Sequence, residues 1–182
     1  NHTLDMGWKN VDFTHKTLDE AGVAQFGDQA RESREFTHVT EVAGHRFAFV
    51  GLNNTDHVLD LKRVSMILAD ARKQASTTLV MMHWGEEYQR HSNSNQRSFA
   101  HFLIDNGADV VIGAHPHVVQ EAEIYKNKPI FYSLGNFVFD QYFSQETQEG
   151  LSIGLVFEHG SLSGVYAFPL RAVASKVWLM DG

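Results

Sequence analysis

Two apolar segments of strand length, separated by a helical segment, constrain the fold more than any other feature of the sequence. They are TTLVMMHWG (77–85) and ADVVIGAHPH (108–117), and between them NQRSFAHFLIDNG (95–107) predicts a helix closed by Asn106-Gly107. Strands that are apolar on both faces belong inside a sheet. With the helical segment that precedes them, they form a helix–strand–helix–strand order that predicts parallel βαβ units. The chain is therefore expected to be an α/β protein.

Hairpin signals flank this α/β segment on both sides. Residues 36–44 and 45–52 predict two strands joined at Ala43-Gly44, with Phe47 and Phe49 on one face of the second strand. Two later pairs of apolar segments also predict hairpins, and they cover residues 118–125 with 129–139 and residues 151–160 with 162–173. Hairpins around parallel units predict a layered α/β domain with a mixed sheet or two sheets.

Capping residues and apolar spacing predict two further helices. Residues 10–22 contain Asp12 as a candidate cap and Gly22 where a helix would end. Residues 58–75 carry apolar side chains at helical spacing. The polar residues 28–35 predict a loop or a short helix.

The composition narrows the classes of function. Lys+Arg 15 against Asp+Glu 22 gives a net charge of −7, which argues against nucleic acid or an anionic membrane as the main partner. A small anionic substrate held by metal ions stays compatible with this charge. The absence of cysteine excludes disulfides and thiol nucleophiles, and the absence of P-loop, GxGxxG and GxSxG motifs leaves common nucleotide-binding folds and serine hydrolases unsupported.

Three histidines mark the ends of the two buried strands, where ligands bind in α/β sheets. His83 ends the first strand, and His115 and His117 follow the second. Parallel neighbours would bring the three imidazoles to one edge, and imidazole is the commonest metal ligand. Two alternatives stay open at this point: His83 bonded to a backbone carbonyl, and a solvated His-Pro-His turn. The stiffness that Pro116 gives to the turn favours metal binding.

Three residues near these histidines are candidates for a supporting role. Glu87 could fix an imidazole tautomer or be a solvated charge, and Asn136 could line a cleft or serve a turn. Trp84 is expected in the core or in the wall of a substrate cleft. The remaining histidines are expected at the surface or with satisfied partners, and they are His15, His38, His45, His57, His91, His101 and His159.

Four motifs carry a resemblance to one bacterial family. They are Asn1-His2-Thr3-Leu4-Asp5-x-Gly7, His83-Trp84-Gly85-x-Glu87-Tyr88, GADVVIGxHPH (107–117) and IFYSLGNFxFDQ (130–141). In this order they strongly resemble the CapA family of capsule-synthesis proteins, which are linked to poly-γ-glutamate and have a calcineurin-like metallophosphoesterase fold. The resemblance implies an α-β-β-α sandwich with mixed sheets, formed as a single domain over residues 1–182.

The resemblance also implies roles for the motif residues. Asn1, His83 and His115 would bind one divalent transition metal ion, such as Mn, Fe or Zn, and His117 would bind a second ion where one is present. His2 would be the general acid that protonates the leaving oxygen. The implied reaction is metal-dependent hydrolysis of a phosphoester.

Part of the family pattern is expected outside this chain. The pattern begins with a strand that ends in Gly-Asp and includes a later acidic or amide ligand, so both are expected upstream of Asn1 or on a second chain. The domain would then be N-terminally incomplete here, with an incomplete metal site and one exposed sheet edge. Family members are often anchored outside the cytoplasm by an N-terminal membrane segment, and this segment of the chain is itself expected to be soluble.

Two hypotheses for function follow from these expectations. The first is a CapA-type protein of poly-γ-glutamate or capsule synthesis with a phosphoesterase-like hydrolytic site for a small anionic or polymeric substrate. The second is a non-catalytic component of the cell envelope that assists assembly or export of poly-γ-glutamate. A nucleic-acid phosphodiesterase is disfavoured by the charge of −7 and by the lack of a basic stripe.

Overall fold

A six-stranded mixed sheet forms the centre of the computed structural model, which describes residues 1–27, 36–56 and 58–180. Its strands in chain order are β1 (Thr37–Val42), β2 (His45–Asn53), β3 (Thr77–His83), β4 (Val110–Ala114), β5 (Ala122–Tyr125) and β6 (Lys128–Phe131). The spatial order is β1-β2-β3-β4-β6-β5, in which β2, β3, β4 and β6 are parallel. The expected parallel pairing of the two apolar segments is therefore confirmed.

A second, antiparallel sheet consists of β7 (Glu149–Glu158), β8 (Ser161–Val173) and β9 (Lys176–Leu179). The hairpin of β7 and β8 turns at His159-Gly160, as the sequence predicts. Strand β9 was missed. It is short, and it follows a turn at Ala174-Ser175 that carries none of the usual Gly, Pro, Asn or Asp turn residues.

Three α-helices complete the described secondary structure with one short 3-10 helix, Glu146–Gln148. They are α1 (Trp8–Glu20), α2 (Leu61–Gln74) and α3 (Ser94–Asp105). Asp60 caps α2 through the backbone N–H of Lys62, and Asn93 and Gln96 form a capping box on α3. None of the helices in the described ranges is long and apolar enough to cross a membrane.

The expected cap of the first helix is wrong. Helix α1 begins at Trp8, directly after Gly7, so Asp12 lies inside the helix and does not cap it. Gly22 follows the last helical turn with a φ of 68°, in the left-handed region that glycine adopts readily, as the sequence predicts. The loop or short helix predicted for residues 28–35 lies outside the described residues.

The central sheet buries both of its faces. Helices α2 and α3 cover one face, where Ala48 and Val50 of β2 are buried. The second sheet covers part of the other face, where Phe47 and Phe49 pack beside Leu155 of β7. The alternation predicted for β2 is thus confirmed, as is a mixed α/β fold with two sheets. In the described residues the order of layers is helices, central sheet and second sheet. Helix α1 has one buried residue, Val11.

Glu123 of β5 connects the sheet to helix α3. The hydroxyl of buried Tyr132 donates to Glu123 Oε2 over 2.6 Å, and His101 Nε2 of α3 donates to Glu123 Oε1 over 2.8 Å. The hydrogen bond from Tyr132 is the main cause that lowers the pKa of Glu123 below its ordinary value of 4.5. The ionised carboxylate is therefore the form that the folded state prefers.

Tyr132→Phe should lower the free energy of unfolding at neutral pH by about 1–3 kcal/mol, because a buried hydrogen bond to a charged group is lost. The contribution of Glu123 is complete above its ordinary pKa of 4.5 and is lost as the pH falls through its lower folded value, so the deficit should shrink in acid. Urea denaturation at neutral and acid pH measures both effects.

The matched control is Tyr125→Phe, whose hydroxyl donates to exposed Asp105 over 3.4 Å. This change should alter stability by about 0.5 kcal/mol or less. A Tyr132→Phe deficit that is no larger than that of the control, or that is independent of pH, would contradict the assignment of Glu123.

Candidate functional site

The carboxyl ends of β3 and β4 bring three imidazoles together. His83 is the last residue of β3, and His115 and His117 lie in the turn that follows β4. The ring centroids of His83 and His115 are 4.8 Å apart, and those of His115 and His117 are 6.3 Å apart. The structure therefore places the three histidines side by side, at the edge of the sheet where the sequence predicts a ligand site.

The turn that carries two of these histidines has an unusual backbone. His115 has a φ of 101° and His117 a φ of 61°, in the left-handed region that costs a residue with a side chain about 1–3 kcal/mol. Two hydrogen bonds hold the turn: Trp84 N–H donates to the Ala114 carbonyl and Tyr88 N–H to the Pro116 carbonyl, over 3.1 and 2.8 Å. Strain that is held in place like this is typical of functional sites.

Trp84 supports the site from the core. Its side chain is 1% exposed, and its indole N–H donates to the Tyr132 carbonyl over 2.8 Å. The ring packs on Tyr132 and Phe99. Trp84 is therefore buried in the core directly after His83, and its supporting role at the site stays a prediction.

The first two residues of the chain lie beside His83. Asn1 Oδ1 accepts a hydrogen bond from His83 Nε2 over 2.8 Å. The side chain of His2 is exposed, and its Nδ1 donates to Asp5 Oδ2 over 2.7 Å. This hydrogen bond leaves Nε2 as the nitrogen of His2 that can exchange a proton with a molecule in the cleft.

Asn136 fixes the orientation of the third imidazole. Asn136 Oδ1 accepts from His117 Nδ1 over 2.8 Å, and Asn136 Nδ2 donates to the Thr147 carbonyl over 2.9 Å. The second contact decides which end of the amide faces His117, and so it assigns the hydrogen of His117 to Nδ1. His117 Nε2 then keeps its lone pair, 3.9 Å from Glu87 Oε1.

Burial keeps two of the imidazoles neutral. It is the main cause that lowers the pKa of His83 to about 4, and the nearby histidines lower it further. Burial is also the main cause that lowers the pKa of His115 below its ordinary value of 6.5. Neutral imidazoles are the form that binds a metal ion, so these histidines need not lose a proton first at neutral pH.

The nitrogen and oxygen atoms of these side chains are of the chemical types that bind transition metal ions. Imidazole nitrogen and amide oxygen suit ions such as Mn, Fe or Zn. His115 Nδ1 is buried and makes no hydrogen bond, and an orphaned buried nitrogen of this kind is a plain candidate for a ligand atom. Among the described residues, however, no three His, Asp or Glu side chains form a group that could hold a metal ion as they stand.

An open cleft of about 540 Å³ adjoins the site. Its polar residues include Asn1, His2, Asn53, Asp56 and His83, and its apolar residues include Leu4, Leu52, Met81 and Ile112. His2 and His83 face the same space, so a bound molecule could contact the exposed imidazole and the histidine cluster together. The described lining includes no Lys or Arg.

Aromatic side chains beside His117 were missed as functional candidates. The rings of Tyr88 and Phe139 contact the His117 ring at centroid distances of 5.9 and 5.2 Å, and Phe143 contacts Tyr88 at 5.0 Å. The available signal was the run FVFDQYF (137–143), which is too aromatic for an ordinary exposed loop.

Histidines outside the cluster have other surroundings. His45 bonds to Thr77 Oγ1 over 2.8 Å, His15 bonds to Gln25, and His91 is exposed. His101 bonds to Glu123, as described above. His57 lies outside the described residues.

The comparisons with known proteins point to one family. A family model described as "Bacterial capsule synthesis protein PGA_cap" matches residues 1–141. The PGA biosynthesis protein CapA of Bacillus subtilis is 35% identical over 158 residues, covering 78% of this chain and 41% of that protein. The capsule biosynthesis protein CapA of Bacillus anthracis is 34% identical, covering 78% and 39%. The chain thus spans about two fifths of the length of these relatives.

Solved structures share the fold at low sequence identity. A hypothetical protein of Thermus thermophilus superposes with a TM-score of 0.61 at 19% identity, covering 92% of this chain and 81% of that one. The sulfate thiohydrolase SoxB of the same genus superposes with a TM-score of 0.59 at 13% identity, covering 92% and 32%. A putative 5'-nucleotidase of Staphylococcus aureus superposes with a TM-score of 0.54 at 12% identity, covering 80% of this chain and 31% of that one.

Asn136→Ala should release the tautomer of His117, because Nδ1 loses the acceptor that holds its hydrogen. In the natural protein the Nδ1–H form should dominate at a pH where the ring is neutral, and in the variant both tautomers should be populated. Long-range ¹H–¹⁵N NMR spectra of the imidazole distinguish the two forms.

Gln141→Ala is the control for this experiment, since Gln141 contacts Asn136 over 3.3 Å but is not bonded to His117. It should leave the tautomer unchanged. An unaltered His117 tautomer in Asn136→Ala would show that another contact sets the proton position.

Proposed function

The chain belongs to the family of bacterial capsule synthesis proteins PGA_cap, and we propose that it carries a metal-dependent phosphoesterase site of a CapA-type protein. One observation carries the proposal: three imidazoles meet at the carboxyl ends of parallel strands, two of them held neutral by burial and one with an unpartnered buried nitrogen. A solvated turn or a lone strand-end histidine would not bring these features together.

We propose Asn1, His83 and His115 as ligands of one divalent transition metal ion and His117 as a ligand of a second. The Asn1 oxygen and His83 Nε2 lie 2.8 Å apart, close to the separation of neighbouring ligand atoms around an ion with bonds of about 2.1 Å. Metal binding by Nε2 would replace this hydrogen bond and move the hydrogen of the neutral ring to Nδ1. In the neutral His117 ring the hydrogen is on Nδ1, so the lone pair of Nε2 is the one that could bind a metal ion. When bound, such ions supply Lewis-acid polarisation of a phosphoryl group and activation of a water nucleophile.

His2 is proposed as the general acid of the reaction. Its Nδ1 donates a hydrogen bond to Asp5, which orients the ring. Nε2 is then the atom that delivers a proton to the leaving oxygen. The exposure of His2 fits this role, because the leaving group must reach the ring from the cleft.

The ligand set is proposed to be completed by a residue outside this chain, from a preceding segment or from a second chain. This proposal is supported by the chemical types of the side chains in the cluster. The cluster contains imidazoles and one amide, whereas the nearest carboxylates lie at its margins, with Glu87 3.9 Å from His117 Nε2. Two closely spaced cations normally require carboxylate ligands that offset their charge.

The biological setting is proposed from the relatives. We propose a substrate among small or polymeric anions of the cell envelope, poly-γ-glutamate among them, because both relatives are named for PGA or capsule biosynthesis. The protein would act on the outer side of the cytoplasmic membrane, anchored through a segment outside these residues.

A second candidate is a non-catalytic component that assists poly-γ-glutamate assembly or export. The observation that favours it is the spacing of the acidic and histidine side chains, which form no three-ligand metal group in the described residues. This candidate predicts polymer binding without turnover.

Metal analysis with a turnover assay tests the proposed site. After loading with Mn²⁺ or Zn²⁺, mass spectrometry should find about two ions per natural protein, about one in His117→Ala, and at most one in His115→Ala. Hydrolysis of 4-nitrophenyl phosphate should fall at least about 100-fold in His115→Ala, because a ligand of the reacting centre is lost.

His91→Ala is the matched control, because His91 is an exposed histidine outside the cluster. It should retain both metal and turnover. Metal content that is equal in His115→Ala and His91→Ala would overturn the ligand assignment. Full metal loading without hydrolysis of any phosphoester would favour the non-catalytic candidate instead.

A further inference from the structure

Three aromatic rings form a wall beside the proposed metal site. The wall consists of Tyr88, Phe139 and Phe143, and it continues the row of imidazoles beyond His117. Tyr88 stacks on His117 at an interplanar angle of 23°, and Phe143 meets Tyr88 edge to face. Phe139 contacts the His117 ring as well. Any molecule that reaches His117 from this side must pass these rings.

The rings are exposed although they are held in place. Tyr88, Phe139 and Phe143 are 41%, 42% and 67% exposed, which is high for contiguous large apolar side chains. Tyr88 has a left-handed φ of 64°, fixed by its N–H donating to the Pro116 carbonyl over 2.8 Å. Its hydroxyl accepts from Gln141 Nε2 over 3.2 Å. An exposed ring kept in a strained conformation indicates a preorganised contact surface.

The surroundings of the wall favour a neutral ring over an anion as its ligand. In the described part of the chain, the ring, hydrogen-bond and ion-pair contacts of Tyr88, Phe139 and Phe143 include no Lys or Arg. Glu87 carries a negative charge beside the wall, 3.9 Å from His117 Nε2. An anionic polymer would gain no ion pair from these three side chains, whereas a flat aromatic ring would stack on their exposed faces and edges.

We propose that the wall binds the organic group of the substrate, and that this group is a flat aromatic ring whose phosphoester is presented to the histidines. The inference rests on the proposed phosphoesterase site and narrows its substrate class. It makes Tyr88, Phe139 and Phe143 specificity-determining residues. The histidines hold the phosphoryl end, and the wall distinguishes an aryl ester from an alkyl ester of the same charge.

Two non-hydrolysable probes separate ring binding from hydrolysis. Phenylphosphonate and methylphosphonate carry the same anionic group, so titration calorimetry of the Mn²⁺-loaded protein measures the effect of the ring alone. Phenylphosphonate should bind about tenfold more tightly or better, and Phe143→Ala and Phe139→Ala should each weaken it about five- to tenfold. Phe143→Ala, whose ring contacts Tyr88, should leave the affinity for methylphosphonate unchanged.

Phe137→Ala is the matched control, because Phe137 lies in the same loop and is 62% exposed. It should change neither affinity. Equal affinity for the two probes would overturn the inference, and so would equal losses in Phe137→Ala and Phe143→Ala. Tighter binding of a γ-glutamate oligomer than of phenylphosphonate would also overturn it, in favour of an anionic polymer.

The results of these experiments distinguish the inference about the aromatic wall from the proposal of hydrolysis. A preference for phenylphosphonate that depends on Phe143, found without turnover of any ester, supports the wall and overturns the hydrolase. Turnover without any aryl preference overturns the wall and leaves the hydrolase standing. The ring preference can also be followed without metal, through saturation-transfer NMR of the two probes.

Discussion

The indole N–H of Trp84 donates to the backbone carbonyl of Tyr132 where strands β3, β4 and β6 end together, and the geometry of the site depends on this contact. The space for it exists because residue 113 is glycine: a Cβ there would lie 2.0 Å from the Tyr132 oxygen and 2.5 Å from Trp84 Nε1. The buried ring thereby holds the end of β3 against the ends of its neighbours. His83 directly precedes Trp84, and His115 lies two residues after Gly113, so their separation is a consequence of core packing.

The sequence predicts this part of the fold well because parallel pairing leaves little freedom. Two strands that are apolar on both faces must lie inside a sheet, and their register opposes His83 to Ala114, which places His115 next to His83. Elements at the periphery were predicted less well. Strand β9 follows a turn in which Ser175 is the one usual turn residue, and α1 begins at Trp8, after Gly7, although Asp12 has the better capping side chain.

The aromatic wall could not be predicted from the sequence for a different physical reason. Its arrangement depends on tertiary contacts and on backbone conformations that local sequence does not specify. Tyr88 has a positive φ stabilised by Pro116, a residue far along the chain, and the loop after Asn136 is held by the amide contact with Thr147. Nothing in FVFDQYF (137–143) by itself indicates which of its rings faces His117. Residues that act through such long-range contacts become visible only in three dimensions.

The electrostatics of the site would couple ligand binding to binding of the proposed metal ion. The chain carries a net charge of −7, the described lining of the cleft includes no Lys or Arg, and the pKa values of His83 and His115 are lowered, which keeps both imidazoles uncharged at neutral pH. An anionic group therefore finds little positive potential at the histidines unless a cation is bound there. The same argument applies to a phosphoester and to a polyglutamate chain. Binding of a polymer in this cleft would then depend on the metal ion as much as hydrolysis does. In both proposed functions the metal ion attracts the anionic group, and only hydrolysis goes on to cleave a bond in it.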